Sequence, residues 1–380
     1  MNIVNIGTDK TLVGGPKLGD AVERHARYGE FVENLDIIVY TNKSENLRTF
    51  SLSENVTGHP TNSLSKVFFY IDAISEFKKI YTKNRVDIVV CQDPFLPGLA
   101  GLAIKKKYGV KLQVNFHGDF WDNPAWLEER WINRLFLKIS KFVVPRADAV
   151  RVMSEGQKNK LILEGIDPEK IFVISTPIDM KKFLKAVRPA GQEAEHSLPV
   201  IMHVSRPDNN TKDFETLFKA VSEAYKKKRF FFRQVGAGFS QETLKERYPD
   251  ISTEFLADKN YMFLGNTEPE KLLSLYNSSD VIILTSTSES FGKVLVEANA
   301  CGKPIVSTAT TGAKDIIQDG LNGFLVPVKD SRALADKIVY LLNNPNKAQE
   351  MGERGRSMVK ERYGDNTEKI VRLWRNILNT

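Results

Sequence analysis

Residues 280–297 read Asp-Val-Ile-Ile-Leu-Thr-Ser-Thr-Ser-Glu-Ser-Phe-Gly-Lys-Val-Leu-Val-Glu, and this stretch combines several structural signals. The apolar run from Val281 to Leu284 is typical of a buried strand in a parallel sheet. Small polar residues follow as a turn, and apolar residues then recur at helical spacing from Val294 until Gly302. The stretch therefore predicts a strand, a tight turn and a helix.

The turn and the helix start also predict a binding site. The backbone N–H groups around Ser290, Phe291 and Gly292 would lie at a helix N-terminus, whose positive dipole end favours phosphate. Glu289 lies on the loop and Glu297 lies about two turns into the helix, so their carboxylates would meet different parts of an extended ligand. Carboxylates accept hydrogen bonds from neighbouring hydroxyls, and both a hexose and a ribose offer such pairs. The pattern favours a sugar nucleotide.

Apolar, strand-like runs alternate with helical patterns along the whole chain. The predicted strands are 2–7, 35–41, 86–91, 111–117, 149–154 and 171–175 in the first half, and 199–205, 230–235, 261–265, 281–285, 304–308 and 323–327 in the second. Such alternation predicts parallel sheets covered by helices on both faces. Two series of this kind predict an α/β protein with two doubly wound, Rossmann-like domains and a ligand between them.

A longer segment around the two glutamates resembles the retaining glycosyltransferases of family 4, the group 1 glycosyl transferases, which have the GT-B architecture. The resemblance rests on residues 289–306, on 311–317 (Thr-Gly-Ala-Lys-Asp-Ile-Ile) and on 319–326 (Asp-Gly-Leu-Asn-Gly-Phe-Leu-Val). It implies that Glu289 binds hydroxyls of the donor sugar and that Glu297 binds the ribose. Ser290, Phe291, Gly292 and Lys293 are the other expected donor contacts in this segment.

The GT-B architecture implies a division of the chain. Residues 1–183 are expected to form an acceptor-side domain and 199–363 a domain that binds the nucleotide sugar. The polar, proline-containing stretch 184–198 is the predicted linker. The last residues have a helical pattern of apolar side chains, and the resemblance implies that this helix, 364–380, packs back on the first domain.

Arg206 and Lys212 follow a predicted strand and precede a predicted helix. They resemble the family's pair of cations that holds the donor diphosphate, although the gap between them is one residue longer than usual. Fixed cations stabilise the negative charge that grows on a departing diphosphate. No Asp-x-Asp triplet occurs in the sequence, so we expect neither a metal ion nor another cofactor.

Several further residues follow predicted strands. Gly14 and Gly15 lie between the first strand and a helix, and they match the family's glycine loop. Gly236 is interpreted either as a nucleotide contact or as part of a plain turn. His117 ends a predicted strand, where ligands bind in open α/β sheets. The resemblance implies that His117 faces the reaction centre, and Asp119 is interpreted as orienting the acceptor.

Composition favours an intracellular enzyme. Cys91 and Cys301 lie far apart in apolar contexts, which does not indicate a disulfide framework. No apolar run is long enough to cross a bilayer, and the first residues lack the pattern of an export signal. The sequence therefore predicts a cytoplasmic protein. Its formal net charge of +7 favours anionic surroundings.

Two segments carry cations beside apolar residues, and two interpretations remain open for them. In Trp126–Val144, which is predicted as one helix, Arg130, Arg134, Lys138 and Lys141 lie beside Trp131, Ile132, Leu135, Phe136, Ile139 and Phe142; Lys66–Lys83 is similar in composition. These helices could bind an anionic membrane surface, or they could bury their apolar faces on their own sheet. Nucleic-acid binding is not expected because no recognition fold accompanies the charge.

Together these patterns predict a retaining, metal-independent transferase. It would move a hexosyl or N-acetylhexosaminyl group from a nucleoside-diphosphate sugar to a saccharide or lipid-linked acceptor in polysaccharide or glycoconjugate synthesis. One alternative is a catalytically silent GT-B subunit that binds a partner. Another is a glycoside hydrolase, which would need two facing carboxylates about 5 Å apart if it were retaining. A single loop-to-helix segment does not favour that geometry.

Overall fold

The computed structural model describes residues 1–15, 20–185, 197–205, 211–249, 251 and 254–379. The chain forms two α/β units. Unit 1 comprises Met1–Pro177 together with Asn366–Thr380, and unit 2 comprises Ile178–Asp365. The predicted fold class, with two parallel-sheet domains, is confirmed.

Unit 1 is built on an eight-stranded sheet. Its strands are β1 (Asn2–Gly7), β2 (Asn34–Val39), β3 (Phe50–Ser53), β4 (Val56–Pro60), β5 (Ile88–Cys91), β6 (Lys111–Phe116), β7 (Ala149–Val152) and β8 (Ile171–Val173). They lie in the order β3-β4-β2-β1-β5-β6-β7-β8, and only β3 pairs antiparallel with its neighbour. The chain therefore starts in the middle of the sheet and extends it first to one side and then to the other.

Helices cover both faces of this sheet. They are α1 (Ala21–Gly29), α2 (Phe69–Lys83), α3 (Leu96–Tyr108), α4 (Pro124–Glu129), α5 (Ile132–Val143) and α6 (Glu155–Leu163). Strand side chains alternate between the faces, so Val4 and Ile6 of β1 join a core with Phe77 of α2, whereas Ile3 joins the opposite core with Tyr28 of α1. Two apolar layers thus hold the central strands, and their carboxyl ends open into loops.

Unit 2 is built on a six-stranded parallel sheet. Its strands are β9 (Val200–Val204), β10 (Phe231–Val235), β11 (Tyr261–Phe263), β12 (Val281–Leu284), β13 (Ile305–Thr308) and β14 (Gly323–Val326). Its helices are α7 (Met180–Lys185), α8 (Phe214–Lys227), α9 (Gln241–Arg247), α10 (Glu254–Ala257), α11 (Pro269–Asn277), α12 (Lys293–Ala300), α13 (Thr311–Ile316), α14 (Ser331–Asn343) and α15 (Pro345–Arg362). The strand order is β11-β10-β9-β12-β13-β14.

The last helix, α16 (Thr367–Asn379), belongs to unit 1. Its buried face includes Ile370, Trp374 and Ile377, and these residues share an apolar core with Leu35 of β2. The Trp374 indole meets the Tyr28 ring edge to face, with their centroids 5.7 Å apart. Helix α16 therefore completes the apolar core on one face of the unit 1 sheet.

The division between the units falls at Pro177, ahead of the predicted linker 184–198. Most of that linker lies outside the described residues. Ile178 already belongs to unit 2, where its N–H donates to the Gly364 carbonyl at 3.2 Å. This contact brings the entry and exit of unit 2 together.

The predicted strands are all present, with ends that shift by one or two residues. The structure adds β3 and β4, a hairpin at the sheet edge. The prediction of one continuous helix over Trp126–Val144 is wrong, because the chain forms α4 and α5 with a break between them. Arg130 is extended there (φ −150°, ψ 134°), and the Asn133 side chain donates to the Trp126 carbonyl at 2.6 Å.

Each sheet has a point where the strand order reverses direction. In unit 1 this point lies between β1 and β5, and in unit 2 it lies between β9 and β12. Loops that leave the carboxyl ends of such neighbouring strands diverge to opposite faces and leave a crevice where ligands bind. Among the described residues, no helix has both the length and the apolar character needed to cross a bilayer.

Candidate active site

The loops after β9 and β12 meet in unit 2. Lys212 lies in the first loop, and its ammonium group contacts the carboxylate of Glu289 in the second. The same ammonium nitrogen lies 3.3 Å from the Ser286 hydroxyl oxygen. Between the loops, the Thr287 N–H donates to the Thr211 carbonyl at 2.8 Å. The structure therefore brings together Lys212 and Glu289, which are 77 positions apart in the sequence.

This ion pair is neither buried nor fully exposed. The side chains of Lys212 and Glu289 keep 20% and 19% of their accessible surface, respectively. Partial burial strengthens their attraction relative to a surface pair, while each group remains open on one side. A ligand can therefore reach both the cation and the carboxylate.

The backbone around Glu289 is held by the start of α13. The Gly312 N–H donates to the Glu289 carbonyl at 2.7 Å. Gly312 also lies close to Phe291 in the same loop. A Cβ atom added to Gly312 would sit 2.5 Å from the Phe291 backbone nitrogen. The Phe291 ring is buried and packs against Tyr363, with their centroids 5.5 Å apart. Gly312 thus keeps the Glu289 loop against the start of α13, a contact that its place in the motif at 311–317 does not by itself reveal.

Helix α12 begins where the sequence predicts it. Gly292 precedes its first turn with φ +83°, and a Cβ there would lie 2.9 Å from the Leu295 side chain. Ser290 is buried beside it. The first-turn N–H groups of a helix have no acceptor within the helix, so they favour an anion at this position.

Glu297 differs from Glu289 in its surroundings. It is buried, and its Oε2 accepts a hydrogen bond from the Tyr276 hydroxyl at 3.0 Å. Burial, followed by the charge of Glu297, raises the pKa of Tyr276 well above its usual range, so the phenol keeps its proton and remains a donor. The Lys293 ammonium lies 3.7 Å from Oε1. The pattern of α11 did not single out Tyr276, because a tyrosine at an apolar helical position resembles an ordinary core residue.

Two other residues of unit 2, Arg206 and Gly236, are also predicted to contact the donor. Arg206 lies outside the described residues. Gly236 follows β10, and its N–H donates to the Gly265 carbonyl at 2.8 Å, which links the loops after β10 and β11. Burial lowers the pKa of the neighbouring strand residue His203 to about 3, so its ring is neutral. Its Nδ1 lies 2.6 Å from the Gln234 amide oxygen.

In unit 1, His117 follows β6 and is fixed by a residue that sequence reasoning missed. Its Nε2 lies 2.9 Å from the Gln92 amide oxygen, which also accepts from Asn115 at 3.2 Å. Because an amide oxygen only accepts, the His117 Nε2 carries the hydrogen. Desolvation by the surrounding protein, reinforced by the charge of Arg151, lowers the pKa of His117 although part of the residue is exposed. The imidazole is therefore neutral at physiological pH.

Asp119, Gly14 and Gly15 form contacts in the loops that follow strands of the unit 1 sheet. Both oxygens of Asp119 bind the Lys160 ammonium, at 3.0 and 2.9 Å, which ties the loop after β6 to α6. Gly14 ends a 3-10 turn over Lys10–Val13, and the Gly15 N–H donates to the Lys10 carbonyl at 2.9 Å. In the described part of the chain, no three His, Cys, Asp or Glu side chains are grouped to hold a metal ion.

Models of two protein families match adjacent parts of the chain. The model of the group 1 glycosyl transferases matches residues 189–358, and that of glycosyltransferase family 4 matches residues 31–182. Two solved structures share the fold. They are sucrose-phosphate synthase from Thermosynechococcus elongatus (TM-score 0.81, 20% identity, 100% of this chain and 99% of that one) and Anabaena HepE in complex with UDP and glucose (TM-score 0.74, 19% identity, 100% and 99%).

Two curated proteins are also similar in sequence. The poly(ribitol-phosphate) α-N-acetylglucosaminyltransferase of Staphylococcus aureus is 27% identical over 84% of this chain, which spans only 59% of that protein. The N-acetyl-α-D-glucosaminyl L-malate synthase of Bacillus anthracis is 39% identical over 80% of this chain and 77% of that protein. With this identity, these family matches and this fold, the chain belongs to glycosyltransferase family 4, within the GT-B glycosyltransferases.

Proposed function

We propose that the protein is a retaining glycosyltransferase that moves a hexosyl or N-acetylhexosaminyl group from a nucleoside-diphosphate sugar to a saccharide or lipid-linked acceptor. The observation that carries this proposal is the Lys212–Glu289 pair at the carboxyl ends of β9 and β12. Ligands bind at such a reversal point, and the pair offers a cation for phosphate beside an acceptor for hydroxyls.

We assign the binding of the donor diphosphate to two cations and to the N-terminus of a helix. Lys212 and Arg206 neutralise the leaving group, and the first turn of α12 at Gly292 adds backbone donors. Negative charge on the diphosphate grows as the glycosidic bond breaks, so these groups stabilise the transition state more than the bound substrate. On this assignment the reaction needs no metal ion.

The two glutamates are assigned to different hydroxyls. Glu289 accepts from the donor sugar, and its contact with Lys212 holds the carboxylate next to the phosphate site. Glu297 accepts from the ribose through Oε1, because Tyr276 occupies Oε2. Lys293 lies near the same Oε1 and restricts its orientation. Ser290 and Phe291 complete the donor contacts, and Gly236 is assigned to the nucleotide.

His117 is assigned to the reacting side of the sugar. A neutral imidazole fixed by Gln92 can hydrogen bond to a sugar hydroxyl without placing a positive charge beside a developing oxocarbenium ion. Asp119 orients the acceptor indirectly, since its carboxylate holds the loop through Lys160. Gly14 and Gly15 give the donor close access to the loop after β1. No residue is assigned as a covalent nucleophile; in this scheme the departing phosphate takes the acceptor proton on the same face.

Known relatives support the substrate classes. HepE was solved with UDP and glucose, which supports a uridine-diphosphate sugar as donor. The two curated relatives are named for transfer or synthesis with N-acetylglucosaminyl groups, on poly(ribitol-phosphate) and L-malate. We therefore place this protein in polysaccharide or glycoconjugate synthesis.

We also propose a cytoplasmic protein that binds peripherally to an anionic membrane. Helix α5 and the residue before it expose Trp131, Leu135 and Phe142, with Trp131 keeping 82% of its surface. Arg134 and Lys138 are exposed on the same helix. Large apolar side chains beside cations are typical of helices that lie at a lipid interface.

A screen of nucleotide sugars by thermal shift, followed by mass analysis of products with candidate acceptors, tests this function. We expect a nucleotide sugar to raise the melting temperature and an acceptor to gain one sugar residue. NMR of the product should show the donor's anomeric configuration. If no nucleotide sugar binds the purified protein, the proposal fails, and if hydrolysis outpaces transfer to every acceptor, a hydrolase replaces it.

A further inference from the structure

Unit 1 contains a pocket that the donor assignments do not use. Its volume is about 400 Å³, and it lies at the reversal point of the sheet, where the loops after β1, β2 and β5 meet. Its lining includes Lys10, Tyr40, Lys66, Asp93, Phe95 and Phe136. None of the residues assigned above to the donor diphosphate lines this pocket.

One wall of the pocket is aromatic. The Phe95 ring stacks on Phe136 with centroids 5.0 Å apart, and on Trp126 at 5.7 Å with an interplanar angle of 10°. Tyr40 lies edge to face with Phe69 at 5.5 Å. Such a wall favours an apolar group or the flat face of a sugar ring.

The pocket also carries charged side chains. Lys66 is exposed, and its ammonium group forms no ion pair with any residue that the structure describes. Lys10 already pairs with Glu45 at 2.5 Å. Lys66 is therefore the cation best placed to receive an acidic group from outside the protein.

Asp93 adds a hydrogen-bond acceptor to the same pocket. Its carboxylate accepts from the Phe95 N–H at 2.9 Å, which fixes its orientation. Burial raises the pKa of Asp93 to about 6, against the lowering effect of that hydrogen bond. A carboxylate that is poorly solvated binds a hydroxyl more strongly than one in water. The pocket thus offers one group for an anion, one for a hydroxyl and a wall for an apolar body.

We propose that this pocket binds the acceptor through a phosphate group at Lys66, with the acceptor's apolar or saccharide body on Phe95 and Phe136 and a hydroxyl at Asp93. This inference rests on the proposed transferase function and narrows its acceptor to a phosphate-bearing alcohol. Lys66 selects for the charge, and Asp93 positions the hydroxyl.

Phenyl phosphate and phenyl β-glucoside form a matched pair of probes, since both carry a phenyl ring and only one carries charge. Calorimetric titration with saturating UDP present keeps phenyl phosphate out of the diphosphate site. We expect wild type to bind phenyl phosphate about tenfold more tightly than the glucoside. Lys66→Ala should remove that preference, Lys66→Arg should retain it, and the control Lys78→Ala, an exposed lysine on α2, should leave it unchanged.

Equal binding of the two probes by wild type, or an unaltered preference in Lys66→Ala, would overturn the inference. Competition distinguishes the sources of the phosphate. Displacement of phenyl phosphate by dioleoylphosphatidylglycerol vesicles, but not by phosphatidylcholine vesicles, indicates a lipid headgroup. Displacement by inorganic phosphate alone indicates a water-borne acceptor, and displacement by neither overturns the proposal.

The same samples separate this inference from the transferase function. UDP binding and turnover of the nucleotide sugar are measured on each variant. If no UDP or nucleotide sugar binds, the function itself fails. If the donor binds and reacts while the Lys66 variants retain wild-type preference, only the assignment of the acceptor pocket is wrong.

Discussion

At the scale of single residues, Glu289 is the side chain whose loss should affect chemistry most specifically. Its carboxylate contacts Lys212 and is assigned to the donor sugar, not to the nucleotide. We expect Glu289→Ala to lower kcat by about 100-fold or more, while the Kd of free UDP changes little. Steady-state kinetics and calorimetric titration measure both quantities. Glu215→Ala, which removes an exposed partner of Lys219, is the matched control and should leave both unchanged. Loss of UDP binding in Glu289→Ala would show that the assigned roles are wrong.

Asp93 should affect stability with a defined pH dependence. Its pKa is about 6 in the folded protein, above the usual value of an aspartate, so the folded state holds the proton more tightly than the unfolded chain. The stabilising effect of that proton is full below about pH 4 and is lost as the pH rises through 6. Asp93→Asn, which stays neutral, should be more stable than wild type by about 1–3 kcal/mol at pH 8 and similar to it at pH 4. Thermal unfolding across this range tests the prediction, and a pH-independent difference would contradict it.

At the scale of elements, Gly312 at the start of α13 packs directly against the loop that carries Glu289, so we expect a shift of one to move the other. An added methyl group there would meet the Phe291 backbone at 2.5 Å, so one of the two segments must move. Gly312→Ala should lower both stability and kcat, because the loop that carries Glu289 is displaced. Gly320→Ala is the comparison, since it has open space but a φ of +75°. It should cost about 1 kcal/mol in stability with kcat unchanged. Equal kcat values in the two variants would contradict the proposed coupling.

The sequence was sufficient for elements with a strong local signal. Val281–Leu284 is wholly apolar and fully buried, and its apolar run predicts a strand. Strand β3 at the sheet edge is exposed or half-buried along its length, so no apolar run marks it. The break before α5 contains neither proline nor glycine; the Asn133 side chain donates to the Trp126 carbonyl across it, a contact that only the folded chain forms.

The candidate site also contains residues that the sequence indicates and residues that only the folded structure reveals. Residues of the family motif, including Glu289, could be proposed from sequence because their type and spacing are distinctive. Gln92 could not, because its importance lies in its contact with His117 across the fold. Gly312 lies in the motif, but its close approach to Phe291 becomes visible only in the folded chain. A polar residue directly after an apolar strand, as Gln92 is after β5, is the signal that could have drawn attention to it.

At the scale of the whole molecule, α16 secures unit 1. Trp374 is 1% exposed and packs in a core with strands from the first part of the chain. Trp374→Ala should destabilise the protein by about 3–5 kcal/mol, the usual cost of removing a large buried aromatic side chain. Leu378→Ala, on the same helix but 37% exposed, should cost less than about 1 kcal/mol. Thermal and urea unfolding measure both, and a loss in Trp374→Ala as small as that expected for Leu378→Ala would show that α16 does not stabilise the unit.

The place of α16 also affects how the protein folds during synthesis. Tyr28 and Leu35 emerge early from the ribosome, but their core partners Ile370 and Trp374 are translated more than three hundred residues later. One apolar layer of unit 1 must therefore remain incomplete throughout the translation of unit 2. Exposed apolar surface of this kind promotes aggregation of nascent chains. Most of unit 2 is therefore made while this layer of unit 1 still lacks the helix that covers it.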